Sequence, residues 1–361
     1  VCRNHQSPAK NGILWLRGVR CFGYFCSKDE NMMKFICFGS GSSGNCYFLD
    51  ADGYGILIDA GISIRTIKKY FRDYGLPMSH VKALLVTHDH ADHVKAAGVA
   101  SHEFNVPVYA TALVHEGIRK NYCITRKVDQ QHAVVFEKGT TMTIGPMAIS
   151  SFGIPHDSRD NNGYFIECGD RTFCLMTDVG HVTDEMADFI HRADYLVIES
   201  NYDPTLLEQG PYPPFLKQRI RSGNGHLSNP QAADELARNL RPDARHVWLC
   251  HLSDENNHPS LAYKTVEKRL REAGFPVGDT LQLETLKRQS PSLPSRSAQW
   301  RGLSCASSEP GAESANLAAD ATGARSNVPH AAKKAQKKFA RIKNSRIFAP
   351  ELQRCPDRVA R

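Results

Sequence analysis

The 361-residue sequence predicts an α/β fold with β-sheets packed inside and helices outside, on three observations. Apolar, strand-like runs alternate with helical patterns from residue 33 to residue 287. These runs gather in two β-rich stretches, each accompanied by helices. Dense polar clusters then follow several of the runs, where a strand end would place them.

The elements read in order as follows. Residues 34–38, 46–49 and 55–59 form three successive strands. Residues 64–74 are helical, and 83–86, Ala-Leu-Leu-Val, are a buried strand. A helix over 92–104 starts inside a polar cluster, and 106–110 is a short strand. Segments 131–136, 140–144, 147–152, 162–168 and 171–177 make a β-rich run with turns such as Gly169-Asp170. Helix 183–191 leads to strand 194–200. Asn229 and Pro230 read as the N-cap and first-turn pair of a helix over 230–240. Residues 246–250 are a strand, and Pro259 opens a last helix that ends near Gly274.

The ends differ from this middle. The chain begins with Val1, and residues 1–32 are irregular; Ile13-Leu14-Trp15-Leu16 is too short for a secretory signal, so a natural start at Met32 or Met33 is expected. Residues 288–361 form a low-complexity, basic tail, rich in Ser, Ala, Pro and Gly to about residue 330 and expected to be disordered there. Residues 331–346 could form a basic helix that touches nucleic acid or acidic lipid, or a solvated tail. From residue 289 onward 13 Lys and Arg face 5 Asp and Glu, which leaves 32 basic and 33 acidic residues elsewhere. The net charge of +7 is therefore the tail's, and says little about the ligand of the 33–287 domain.

No run approaches the length of a membrane span, so no membrane insertion is expected. Eleven cysteines, odd in number, scattered and without Cys-x-x-Cys spacing, suit reduced thiols in a cytoplasmic protein. Cys37, Cys46, Cys174 and Cys250 lie in apolar runs and read as core residues.

Residues 87–93, Thr-His-Asp-His-Ala-Asp-His, follow the strand 83–86. Apolar surroundings do not tolerate three imidazoles and two carboxylates without compensation, and a metal supplies it. The alternative is a solvated, His-rich loop. Further candidates follow strand-like segments downstream: His156, Asp178 and His251. Gly39-Ser-Gly-Ser-Ser-Gly44 matches a dinucleotide fingerprint, with Asp59 twenty residues on. That motif needs a helix after the glycines, whereas a strand follows here; a flexible hairpin loop beside the site is the better reading.

His88-x-His90-x-Asp92-His93, then His156, Asp178 and His251, resembles the ligand series of the metallo-β-lactamase superfamily, over roughly residues 34–287. The resemblance implies an αββα four-layer sandwich and a dinuclear hydrolase with two divalent ions, Zn, Mn or Fe. His88, His90 and His156 would hold one ion, Asp92, His93 and His251 the other, and Asp178 would bridge. A bridging water, acidified by the ions, would attack. Asp59 matches the family's preceding acidic position and would orient a ligand. Asp89 is expected outside the ligand set.

The segments around Glu199 and His226 are similar to those of the family's tRNA 3′-processing endonucleases, where such a pair helps protonate the leaving oxygen. Both are accordingly expected in catalysis, with Asp92. Phosphodiester cleavage needs that help because an alkoxide leaves poorly. Lys217, Arg219 and Arg221 precede His226, but their alternate spacing does not share one helical face. Arg219 and Arg221 are candidate phosphate contacts. Asn256 and Asn257 either contact phosphate or cap the last helix. The segments at 38–46, 87–93, 225–229 and 251–257 are most similar to the bacterial YycJ or WalJ group, which implies 5′–3′ exonuclease action on DNA and a role in its repair. A thioester or small-ester hydrolase of the glyoxalase II type, an RNA-processing nuclease and a non-catalytic binder are the alternatives.

Overall fold

A computed structural model describes residues 33–292. The expectations for residues 1–32, for the helix over 331–346 and for the tail from residue 293 lie outside the described residues.

The first sheet is built from β1 (Met33–Gly39), β2 (Cys46–Ala51), β3 (Tyr54–Ile58), β4 (Val81–Leu85), β5 (Val108–Ala110) and β6 (Ala133–Val135), in that order. The second is β13 (Gln282–Thr285), β12 (His246–Cys250), β11 (Tyr195–Glu199), β10 (Arg171–Met176), β9 (Asn162–Cys168), β8 (Met147–Gly153) and β7 (Thr141–Ile144). Each sheet starts with antiparallel neighbours and continues with parallel ones, from β3 in the first and from β10 in the second.

Strand alternation separates three cores. Phe35, Leu49, Ile56 and Leu85 of the first sheet meet Ile149, Tyr164, Phe173, Leu175, Val197 and Trp248 of the second in the central layer. The opposite faces of the same strands are covered by helices. Phe38, Phe48, Leu57 and Leu84 pack on α1 (Ile64–Asp73), α3 (Ala97–Phe104) and α4 (Ala112–Lys120). Cys174, Met176, Leu196 and Leu249 pack on α5 (Asp184–Arg192), α8 (Asn229–Asn239) and α9 (Pro259–Glu272). The layers are therefore helix, sheet, sheet, helix, the four-layer sandwich the sequence predicts. Cys37, Cys46, Cys174 and Cys250 are buried free thiols, as expected.

Three local expectations are corrected. The helix expected over 92–104 is broken into α2 (Ala91–Val94) and α3. An unbroken helix would need the carbonyls of Asp92 and His93, but these accept from Asn45 N (2.7 Å) and Ala60 N (2.7 Å), while Ala96 N donates to Ala60 O (2.8 Å). The N-cap of α8 is Ser228, in a capping box with Gln231; Asn229 is already helical, and its amide oxygen accepts from Ser200 and Asn257. The loop over 39–44 is not a loose connection. Ser40, Gly41 and Gly44 are buried, and Ser40 Oγ accepts the His251 N–H at 2.8 Å.

The start of β11 is held by a buried carboxylate. Asp194, 2% exposed, accepts from Thr172 N at 2.9 Å and Thr172 Oγ1 at 3.2 Å and is paired with Arg241. Asp194→Ala strands these donors and is expected to cost about 3 kcal/mol. A lowered urea midpoint at unchanged m-value checks this; an unaltered midpoint refutes it.

Residues beyond 287 also join the fold, since Ser292 N donates to Cys37 O at 3.0 Å along the free edge of β1.

Candidate metal centre

The chemistry-bearing residues collect where strands end. Asp59 follows β3, residues 87–93 follow β4, His156 follows β8, Asp178 follows β10, Glu199 ends β11 and His251 follows β12. Asp59, Asp178 and His251 each adopt a left-handed backbone, with φ of 61°, 56° and 52°. Each such residue costs about 1–3 kcal/mol, which the surrounding hydrogen bonds must offset.

The seven expected ligands lie in overlapping groups whose donor atoms fall within 4.8 Å of one another. One group is His88, His90 and His156; another is Asp92, His93 and His251. Asp178 sits between them, with Oδ2 3.2 Å from His93 Nε2 and Oδ1 3.8 Å from His156 Nε2 and 3.4 Å from His251 Nδ1.

The far side of each ring sets its orientation. Asp59 Oδ2 is 2.7 Å from His93 Nδ1, and Asp59 also accepts the Thr87 N–H and hydroxyl. Thr87 Oγ1 is 3.1 Å from His88 Nδ1, Gly225 O is 3.1 Å from His156 Nδ1, and Glu199 Oε1 is 2.8 Å from His251 Nδ1. His88 Nε2 and His251 Nε2 are buried without a hydrogen-bond partner among the described residues. Orphaned nitrogens are costly when buried, and a metal ion satisfies them. This donor set fits divalent metal.

Charge divides the groups. Burial, reinforced by His93, pushes the His88 imidazole well below its usual range, and burial pulls His156 down to about 4. Burial also opposes charge on His93 and His251, but carboxylates outweigh it. Asp178, Asp59 and Asp92 hold His93 well above its usual range, and Asp178, Asp92 and Glu199 push His251 up to about 10. Burial opposes ionisation of Asp178, yet His251, His93 and His88 hold it well below the carboxylate range. Metal binding through His93 and His251 would therefore displace their protons. Apparent affinity is expected to rise with pH across the neutral range, with proton release on adding Zn²⁺. Calorimetry in buffers of different ionisation enthalpy measures that release; its absence refutes the charge assignment.

Glu199 is fully buried, and all its bonding capacity is spent inside. Oε1 meets His226 Nδ1 and His251 Nδ1, each at 2.8 Å, while Oε2 accepts from Val179 N at 2.8 Å and Leu227 N at 3.1 Å. It thus positions two histidines, and with Asp178, His226 and His251 it also forms a further group whose donor atoms fall within 4.8 Å of one another. His226, with 18% of its side chain exposed, turns Nδ1 to Glu199, so Nε2 is its remaining edge.

The candidate phosphate contacts separate. On α7 (Pro214–Arg221), Arg219 pairs with Asp157 beside the site, while Arg221 is turned to Glu208 of α6 (Pro204–Gln209). Asn256 and Asn257 are 1% and 6% exposed. Asn257 Nδ2 bonds Ser200 O and Asn201 O, and its Oδ1 accepts from His258 N; Asn256 Nδ2 turns to Ser253. Both are buried, and the cap of α9 is His258, so the capping expectation for the pair is corrected. Asp89 points away from the ligands, towards Gly117 and Arg159. Asn45 and Asn201 carry no sequence signal of their own. Asn45 Nδ2 is 2.9 Å from His93 Nε2, and Asn201 Nδ2 donates to His251 O at 2.8 Å.

The beta-lactamase superfamily domain matches residues 54–252, a span that runs from β3 to just past His251. The chain belongs to the metallo-β-lactamase superfamily. Exodeoxyribonuclease WalJ of Streptococcus pneumoniae is 36% identical over 250 residues, 69% of this chain and 93% of that protein. Exodeoxyribonuclease YycJ of Bacillus anthracis is 33% identical over 259 residues, 72% of this chain and 97% of that protein. The fold is shared with the metallo-β-lactamase fold protein YhfI from Bacillus subtilis, at a TM-score of 0.53 and 18% identity, over 72% of this chain and 99% of YhfI. A superfamily member with this donor set is a metal-dependent hydrolase. No helix among the described residues is long and apolar enough to cross a membrane.

Proposed function

We propose that this chain is a nuclease that removes nucleotides from DNA in the 5′ to 3′ direction with two divalent ions, Zn, Mn or Fe. The observation that carries the reading is the His226–Glu199 pair at 2.8 Å beside the ligand groups. Glu199 holds a proton on His226 Nδ1, which leaves Nε2 to donate to a departing alkoxide, the step phosphodiester cleavage needs. Thioester hydrolysis has no such need, since a thiolate departs readily. The names of WalJ and YycJ, both exodeoxyribonucleases, support the same reading.

His88, His90 and His156 would hold one ion, Asp92, His93 and His251 the other, and Asp178 would serve both. Bound there, divalent ions supply Lewis acidity towards a phosphoryl oxygen and a more acidic water. Asp59, Thr87 and Glu199 keep the imidazoles aimed, and Arg219 stands ready for a flanking phosphate. The catalytic domain is taken as residues 33–287, with the segments on either side outside it. A cytoplasmic location belongs to this reading and suits the free cysteines.

The test is cleavage of end-labelled duplex DNA, single-stranded DNA and RNA, with Mn²⁺ and Zn²⁺ compared and a thioester assayed alongside. Mononucleotides released from the 5′ end of DNA are expected. Thioester hydrolysis without cleavage of any nucleic acid overturns the proposal, and preferred cutting of RNA redirects it to RNA processing.

A further inference from the structure

α7 has three faces with three surroundings. Leu216 and Ile220 pack with Tyr202, Leu207 and Tyr212 in a small core of their own. Lys217 and Arg221, one turn apart, both turn to Glu208. The third face carries Phe215 and Arg219, also one turn apart. Phe215 is 68% exposed, so this ring contributes nothing to that core.

The third face is fixed against the metal centre. Arg219 pairs with Asp157, whose Oδ1 lies 3.4 Å from His156 Nε2. The carbonyl of Ile220 accepts the His226 N–H at 2.9 Å, and Gly225 O holds His156 Nδ1. The helix that displays Phe215 is thus tied to a ligand and to the candidate proton donor. Arg219 uses Nε on Asp157, which leaves its terminal N–H groups for an anion.

We propose that Phe215 is a stacking platform for a nucleobase of the strand being cut, with Arg219 on the neighbouring phosphate. This rests on the nuclease reading and names a residue that would grip that substrate. The chemistry matches one nucleotide: an apolar ring face for the base and a guanidinium one helical turn away for the phosphate. Every base offers a π-face, so the grip is tolerant of sequence, as repeated removal of nucleotides requires.

The test uses the metal-loaded full chain and an oligodeoxynucleotide with phosphorothioate linkages and 2-aminopurine near its end. Wild-type protein is expected to quench the fluorophore, Phe215→Tyr to keep the quench and Phe215→Ala to lose it. In cleavage of the ordinary oligonucleotide, Phe215→Ala is expected to raise KM by ~10-fold, with the loss on KM rather than kcat. Metal content reports folding. Unchanged quench and KM in Phe215→Ala, with the wild type cleaving, overturn this proposal and leave the nuclease reading standing. A Phe215→Ala variant that converts a dimer to a monomer without altering oligonucleotide binding also overturns it, because the ring is then a contact between copies. A wild type that neither binds nor cuts nucleic acid overturns both.

Discussion

Asp178→Asn is expected to lower activity by ~10³-fold or more and to strip metal from the protein. Among the described residues, Asp178 is the one carboxylate within 4 Å of histidines from both candidate ligand groups, His93 and His251 on one side and His156 on the other. Its two oxygens can each serve one ion, which an amide cannot do as an anion. Asn is a cleaner probe than Ala here. The residue has a φ of 56°, a backbone that Asn tolerates and Ala does not, so Asp178→Ala mixes strain with loss of charge. The charge loss also acts without metal, because the protonated His93 and His251 then lack the carboxylate that stabilises them. Metal analysis by mass spectrometry and initial rates on labelled DNA check the two parts separately. Full metal content with normal turnover removes Asp178 from the centre.

The metal cluster was legible because titratable residues directly after apolar strands have few physical explanations. The strand-to-helix alternation was legible for a related reason, since β1 to β4 and β9 to β12 carry largely continuous buried runs. What escaped depends on tertiary contacts. The break at Ala96 exists because Asn45 and Ala60 take over the carbonyls of Asp92 and His93, from loops far away in sequence. The left-handed turns at Asp59, Asp178 and His251 leave no local signature beyond Asp and His being tolerant of them. α6 and α7 are short and cover a small core of their own, so their apolar periodicity is weak, and an exposed Phe215 blurs it further. β13 reads Gln-Leu-Glu-Thr, too polar and brief to register as a strand. Asn256 and Asn257 looked available because polar residues after a ligand suggest a mouth; their burial is visible only once β11, α8 and α9 meet.

The sequence points to Glu199 for proton transfer, and its full burial favours a positioning role instead. On the proposed reading the acid is His226, and His226→Ala separates proton donation from metal binding. Metal content is expected to stay at the wild-type level, because the seven proposed ligands are untouched. Turnover on DNA is expected to fall ~10²–10⁴-fold, the usual worth of a general acid. Burial opposes charge on His226, but Glu199 outweighs it and holds the ring above its usual range, so it keeps its proton to higher pH than a free imidazole and gives it up as pH rises further. The wild-type rate should therefore decline on an alkaline limb that the variant lacks. Leaving-group dependence provides the sharper discrimination. With a p-nitrophenyl phosphodiester the departing oxygen needs little protonation, so the deficit of His226→Ala should shrink by at least tenfold relative to DNA. An equal deficit on both substrates means that His226 binds or shapes the site instead of donating a proton. Glu199→Gln supplies the contrast, since it loosens His251 together with His226 and should lose metal as well as rate.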